Sequence, residues 1–360
     1  MITSTISSTI SELEEQVKLL PEAEREIFDR YFRLDTVIGN IVPPESMKEW
    51  IIKNFGELEK VENQKITKIT NLLTLEGALF NELRASRPME CKTSRETREI
   101  IENSAGDPFC HPEESTPADT FGRVRGQRSI TAGNIAKYDG YHSLVIFNEH
   151  DPLKVDEAAL IDYFETGFAW ARQALGQSPE SKYYFFMWNC LWKSGASIIH
   201  GHAQVTLTRG MHYPKVESLR RTAADYQRRY GTCYFKDLHR IHERLGLAWE
   251  WEGVKGLAYL TPVKEKEILL WDSEPGVNLY RAVHRVLRKF EEMSVTSFNL
   301  VLYLPPLAPV PEDWSGFPAL VRIVDRGDPG NKTADIGAME LYAASVISGD
   351  PFRVAEKIKE

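Results

Sequence analysis

The spacing of apolar residues changes character near residue 95. Before it, in ISELEEQVKLL and EAEREIFDRYFRL, acidic and apolar side chains recur three and four residues apart, the period of an amphipathic helix. Pro43-Pro44 breaks the pattern and SMKEWIIKNFGELEKV resumes it, with Ser46 suited to an N-cap. Residues 1–85 read as a helical N-terminal extension without recognisable chemistry, a layer for packing or for pairing two chains into a homodimer.

Beyond that point strands alternate with helices. YHSLVIF (141–147), YYFFMW (183–188) and IIHGHAQVTL (198–207) predict strands. VDEAALIDYFETGFAWARQAL and VESLRRTAADYQRRYG predict helices. The order then repeats loosely. GLAYLTPV and EILLW read as strands, GVNLYRAVHRVLRKFEEM as a helix, and FNLVLYLPP and LVRIVD as strands. Two such halves, 86–230 and 231–360, suggest a duplicated antiparallel α+β unit.

Candidate chemistry concentrates in 189–204, Asn189-Cys-Leu-Trp-Lys-Ser-Gly-Ala-Ser-Ile-Ile-His200-Gly-His202-Ala-Gln204. With the period of two of a strand, His200, His202, Gln204 and Thr206 share a polar face, while Ile199, Gly201, Ala203, Val205 and Leu207 share an apolar one. The preceding Lys193-Ser-Gly195-Ala196-Ser197 is small and rich in backbone N–H groups, so phosphate oxygens can approach it closely. A His-x-His pair could equally serve a metal-dependent hydrolase, but that would need further acidic or histidine ligands at strand ends.

Composition narrows the field. The net charge of −8 argues against binding nucleic acid through a general positive field. No apolar run reaches the roughly 18 residues of a membrane span. The first residues lack the basic and apolar regions of a signal peptide, and Cys91, Cys110, Cys190 and Cys233 show no disulfide-framework spacing. A cytoplasmic protein with reduced thiols is expected, which leaves Cys110 free to bind metal.

The run N-x7-S-x-x-H-x-H-x-Q resembles the active-site motif of galactose-1-phosphate uridylyltransferases and related sugar-nucleotide phosphorylases, a branch of the histidine-triad superfamily. Weaker matches follow in order: Arg84-Ala-Ser-Arg87-Pro, Asp107-Pro-Phe-Cys110, Asn134, His150, and Gly337-Ala-Met-Glu340. Together they cover roughly residues 80–360. The resemblance implies a duplicated histidine-triad-like antiparallel sheet with flanking helices. It also implies a nucleotidyltransferase or nucleoside-diphosphate-sugar phosphorylase working by ping-pong transfer. His202 would attack the α-phosphorus, a carbonyl near His200 would hold its other nitrogen, and Gln204 would donate to a non-bridging oxygen. Arg84, Arg87, Asn134, Asn189, Gly195, Ala196, Ser197 and Glu340 would contact nucleotide or phosphate. Nucleotide sugars with phosphate or a sugar phosphate would be the substrates. Structural zinc would sit on Cys110, His150, His200 and Asp107, the last standing where the family commonly has a cysteine, with His111 as a substitute. The family's second metal pair is lacking in Phe298-Asn-Leu-Val-Leu-Tyr303, so no second iron or zinc is expected. Val346 replaces a family glutamine, which removes the ground for galactose specificity. A hydrolase with water as acceptor, or a silent nucleotide-binding protein, would carry much of the same motif.

Overall fold

YHSLVIF ends in an unbroken apolar run, and it forms an almost wholly buried strand in the computed structural model, which describes residues 8–84, 94–331 and 334–360. The strands of the first 80 residues are β1 (Phe32–Asn40), β2 (Asn63–Asn71) and β3 (Gly77–Phe80). Next come β4 (Ser129–Gly133), β5 (Tyr141–Phe147), β6 (Ser181–Cys190) and β7 (His202–Arg209). β8 (Ala248–Trp251), β9 (Val254–Ala258), β10 (Ile268–Asp272), β11 (Phe298–Tyr303), β12 (Ala319–Asp325) and β13 (Ser345–Ile347) complete them.

Nine of these make one antiparallel sheet in the order β4-β5-β7-β6-β11-β12-β10-β9-β8. The pairing of β6 with β11, from Phe298 opposite Cys190 to Tyr303 opposite Phe185, joins the strands of residues 129–209 to those of 248–325. One face is closed by the helix Glu157–Gln177, whose N-terminus is capped by the Asp156 carboxylate accepting from Ala159 N–H. Ala203, Val205 and Leu207 pack beneath it, fully buried. A Cβ on Gly167 would fall 2.5 Å from Tyr184 Oη, so this helix crosses the sheet closer than any side chain allows. The helix Val277–Glu292 lies alongside, with Tyr280 stacked on Phe164 at 4.5 Å.

The other face carries the polar alternation. Gln204 on β7 pairs with Met187 on β6, Met187 with Val301 on β11, and Val301 with Arg322 on β12. Two residues along, Asn189 pairs with Asn299, just beyond the last paired residues of β6 and β7.

The α+β class is as the sequence implies, but two readings change. The first 80 residues do form helices, at Leu13–Lys18, Glu22–Tyr31, Glu45–Phe55 and Leu58–Glu62. They also hold three strands, which join β13 in a second sheet of order β1-β2-β3-β13. The extension is therefore not wholly helical. Its strands gain stability by pairing with one another, β1 with β2 across 23 or more residues, as Phe32 with Asn71 and Asn40 with Asn63, which local periodicity does not register. Pro44, extended, precedes the first turn of Glu45–Phe55, so Ser46 lies inside the helix rather than capping it. Arg322 anchors this second sheet: it bonds Glu76, in the turn before β3, at 2.8 Å and Glu267 at 2.6 Å. No helix among the described residues is long and apolar enough to cross a membrane.

Burial of two core histidines has a consequence for stability. It pushes His212 down to about 4 and His242 down to about 3, against an ordinary value near 6.5. Below pH ~6.5 the unfolded chain takes up protons at both rings, which the folded chain accepts only near those lower values. Stability should therefore fall as pH drops from 6.5 toward 4, read by denaturant unfolding at each pH. A flat profile over that range would show these rings to be solvated in the native state.

Candidate active site

Strand β7 begins at His202, and the residues before it turn out of the sheet. The expected strand from 198 is thus shorter: His202, Gln204 and Thr206 share the polar face, whereas His200 belongs to the approach loop. Two backbone bonds force that turn. Gly201 N–H donates to His150 O at 3.0 Å, and Phe147 N–H donates to Gly201 O at 2.9 Å. Gly201 is required here, since a Cβ would lie 2.5 Å from the Phe147 ring.

His202 is 6% exposed. Its Nδ1 lies 2.8 Å from His200 O, and a carbonyl can only accept, so the proton of the neutral ring sits on Nδ1. Nε2 keeps its lone pair. Burial lowers the pKa of this imidazole, partly opposed by the His200 carbonyl, so the ring is neutral at pH 7. Phe109 packs edge-on against it at 5.1 Å. The result is a buried imidazole with a fixed tautomer and a free lone pair on Nε2.

Behind it lies a four-donor group. His200 Nε2 faces Phe147 O at 2.8 Å and His150 Nε2 faces Ile101 O at 3.0 Å. Both rings therefore carry their proton on Nε2, leaving the two bare Nδ1 atoms 3.1 Å apart, where neither can donate to the other. Cys110 Sγ lies 3.4 and 3.5 Å from them, and one S–H can serve only one. Asp107 brings Oδ1 within 3.6 Å of His200 Nδ1 and Oδ2 within 3.9 Å of His150 Nδ1. Oδ2 is buried without a hydrogen-bond partner. The four ligand atoms lie within 4.8 Å of one another. Ligand bonds of 2.0–2.3 Å in a tetrahedron imply edges of about 3.3–3.8 Å, close to these distances. The group can hold a divalent cation. Asp107 rather than His111 is its fourth member among the described residues; His111 instead lines a neighbouring cavity of about 430 Å³ with Glu113 and Arg125.

Gln204 follows His202 on the same face of β7, and Asn189 lies at the adjoining end of β6. Gln204 Oε1 lies 2.8 Å from His142 Nε2, and Asn189 Oδ1 accepts from Asn299 Nδ2 at 2.6 Å. Asn134 stands beside them, its Nδ2 3.1 Å from His142 Nε2. Gly195, in the left-handed region at φ 98°, and exposed Ser197 form the tip of the approach loop. The loop is tied down by Trp192 Nε1 donating to Pro329 O and Lys193 Nζ donating to Asn331 O, both at 3.0 Å.

Other expected residues have no described contact with His202. Arg84 is exposed on the short turn Glu82–Arg84, and Arg87 and Cys91 lie outside the described residues. Glu340 caps Gly337 N–H at 2.9 Å and lines a cavity of about 680 Å³ with Lys264, Asn299 and Arg322. No described contact joins it to His202. His142, Tyr138, Phe109 and Asn299 were not read from the sequence, because strand register brings His142 and Asn299 to the motif and the loop before β5 and the turn 108–110 bring Tyr138 and Phe109.

Among solved structures the chain resembles an ADP-glucose phosphorylase from Arabidopsis thaliana determined with ADP-glucose bound. The TM-score is 0.61 and the identity 17%, over 81% of this chain and 97% of that one. A galt-like protein from the same plant matches over the same shares at 17% identity, with a TM-score of 0.59. A uridylyltransferase matches at TM-score 0.54 and 17% identity, over 68% of this chain and 87% of that one. The chain has the uridylyltransferase-like fold. No family model matches the sequence, and no curated protein matches it significantly. The likeness in fold spans most of the chain.

Gly201→Ala tests the tight approach between His200 and His202. Overpacking against Phe147 should lower stability by about 1–3 kcal/mol. Thermal unfolding unchanged within a degree would mean that the loop yields easily and does not fix His202.

Proposed function

We propose that this chain is a nucleotidyltransferase or nucleoside-diphosphate-sugar phosphorylase that carries a nucleoside monophosphate on His202. The observation that carries the reading is the lone pair of His202 Nε2, buried and neutral, with Nδ1 held by the His200 carbonyl. The uridylyltransferase-like fold is consistent with it.

In the first half-reaction Nε2 attacks the α-phosphorus of a nucleotide sugar. The N–P bond forms as the bond from that phosphorus to the bridging oxygen breaks, and the sugar phosphate leaves with the electron pair. The ring becomes a nucleotidylated imidazolium, whose Nδ1–H the His200 carbonyl stabilises. In the second half-reaction an oxygen of phosphate or of a sugar phosphate attacks the same phosphorus. The N–P bond breaks and the ring regains its lone pair. The Gln204 and Asn189 amides donate to the non-bridging oxygens, where charge accumulates. The approach loop around Gly195, Ala196 and Ser197 receives the neighbouring phosphate, and Arg84 and Arg87 neutralise its charge.

Asp107, Cys110, His150 and His200 hold a zinc ion in this reading. Bound there, zinc supplies structure rather than chemistry: it ties the 107–110 turn, the loop at 150 and the approach to β7 into one unit. His200 thereby presents its carbonyl to His202 in a fixed position.

His202→Gly should abolish turnover, since it removes the nucleophile alone. Incubating the wild-type protein with a panel of nucleotide sugars should add the mass of one nucleoside monophosphate, and the variant should add none. Turnover above a few per cent of wild type in the variant would exclude the covalent route.

Protein purified without chelator should contain about one zinc per chain. Cys110→Ser should lower both zinc content and thermal stability, whereas Cys233→Ser, outside the donor group, should change neither. Fully active protein free of zinc would show that the four donors work without a metal.

A further inference from the structure

An amide side chain is ambivalent, accepting at its oxygen and donating at its nitrogen. Of the two amides beside His202, each has its oxygen already engaged from within the protein. Gln204 Oε1 lies 2.8 Å from His142 Nε2 and 3.3 Å from Tyr138 Oη. His142 is fully buried, and burial lowers its pKa, so the ring carries a single proton. Asn134 Nδ2 also stands 3.1 Å from Nε2, and the choice between these partners is made on the far side of the ring. There the Tyr138 backbone N–H donates to Nδ1 at 3.4 Å, which places the proton on Nε2, aimed at the nearer Gln204 oxygen; Asn134 Nδ2, whose Oδ1 accepts from Ala136 N–H, then has no acceptor at this ring. The Tyr138 ring covers the imidazole at 3.9 Å.

The second amide is engaged by a longer chain. Asn189 Oδ1 accepts from Asn299 Nδ2 at 2.6 Å, and the same NH2 donates to Ser194 O at 2.9 Å in the approach loop. Asn299 Oδ1 accepts from Arg326 Nη1, whose other nitrogens bond both oxygens of Asp335 at 2.8 and 3.0 Å. Turning either Gln204 or Asn189 over would set N–H against N–H and strand a donor.

We propose that His142 and Asn299 are positioning residues that make Gln204 and Asn189 obligate donors, so that both amides beside His202 offer hydrogens and select a tetrahedral oxyanion. The reacting group rests on the nucleotidyl-transfer reading above, while the amide orientation stands on geometry alone. Donors fixed before the reaction need no reorganisation as charge develops on the phosphoryl oxygens. A carbonyl turned toward that space would repel the same oxygens. The two halves of the sheet each contribute one clamp, His142 from β5 and Asn299 from β11.

One test needs no turnover. In ¹⁵N NMR of the full chain, His142 should carry its proton on Nε2, and the opposite tautomer overturns the Gln204 assignment. Inorganic phosphate should shift the side-chain NH2 signals of Gln204 and Asn189 in the wild type. The Gln204 shift should vanish in His142→Phe and the Asn189 shift in Asn299→Leu; shifts that persist overturn the proposal. The second test uses whichever nucleotide sugar labels wild-type His202. His142→Phe should slow single-turnover labelling about tenfold or more with KM within twofold, because the lost donor acts in the transition state. Added to Gln204→Ala it should cost nothing further, and Asn299→Leu should behave likewise with Asn189→Ala. Additive losses in both pairs mean that His142 and Asn299 act by another route. If no compound labels the wild type, the transfer reading fails, and the tautomer and phosphate shifts still decide the orientation.

Discussion

His200 faces two ways, and the geometry around His202 depends on it. Its side chain joins Asp107, Cys110 and His150 in the four-donor group, while its backbone carbonyl fixes the proton of His202. One residue thus couples a rigid cluster to the orientation of the proposed nucleophile. The coupling is tight because Gly201 separates the two histidines and bonds to the loops on both sides, at His150 O and Phe147 N–H. Whatever holds the cluster also sets the direction in which the lone pair of His202 points.

Burial does different work on each side of that link. At His202 it keeps the imidazole neutral, so the lone pair is present at neutral pH. In the cluster it strips water from two bare nitrogens, a thiol and an unpaired carboxylate oxygen, a combination that protein protons alone do not satisfy. Asp107 completes the four-donor set with a hard oxygen beside the soft sulfur of Cys110. Its Oδ1 also accepts from Phe109 N–H at 2.7 Å, and the Phe109 ring rests on His202, so this turn touches cluster and nucleophile together.

Periodicity made much of the architecture legible. YHSLVIF ends in an unbroken apolar run and FNLVLY comes nearer to alternation, and both are strands at those positions. The helices 157–177 and 277–292 follow from apolar stripes at helical spacing. The strands in the first 80 residues escaped, since β1 and β2 exist through mutual pairing and β13 returns from the far end of the chain to lie parallel to β3. The helix Tyr234–Arg244 escaped as well. It lies where four histidine and aromatic positions, Tyr234, Phe235, His239 and His242, are buried for packing rather than chemistry.

By itself the sequence brought forward the candidate group His202, Gln204 and Asn189 within sixteen residues, because a motif on one loop and strand brings its own residues together. The candidate ligands at 107, 110, 150 and 200 are spread along the chain and entered only through the resemblance, and the fold is what gathers them. The tertiary structure alone decided how those groups act. Which nitrogen of His202 carries the proton depends on a carbonyl placed by the turn at Gly201. Which end of each amide faces the site depends on His142, 62 residues from Gln204, and on Asn299, 110 residues from Asn189. Hydrogen-bond direction is a property of neighbours in space, and strand register, not sequence distance, brings those neighbours into contact.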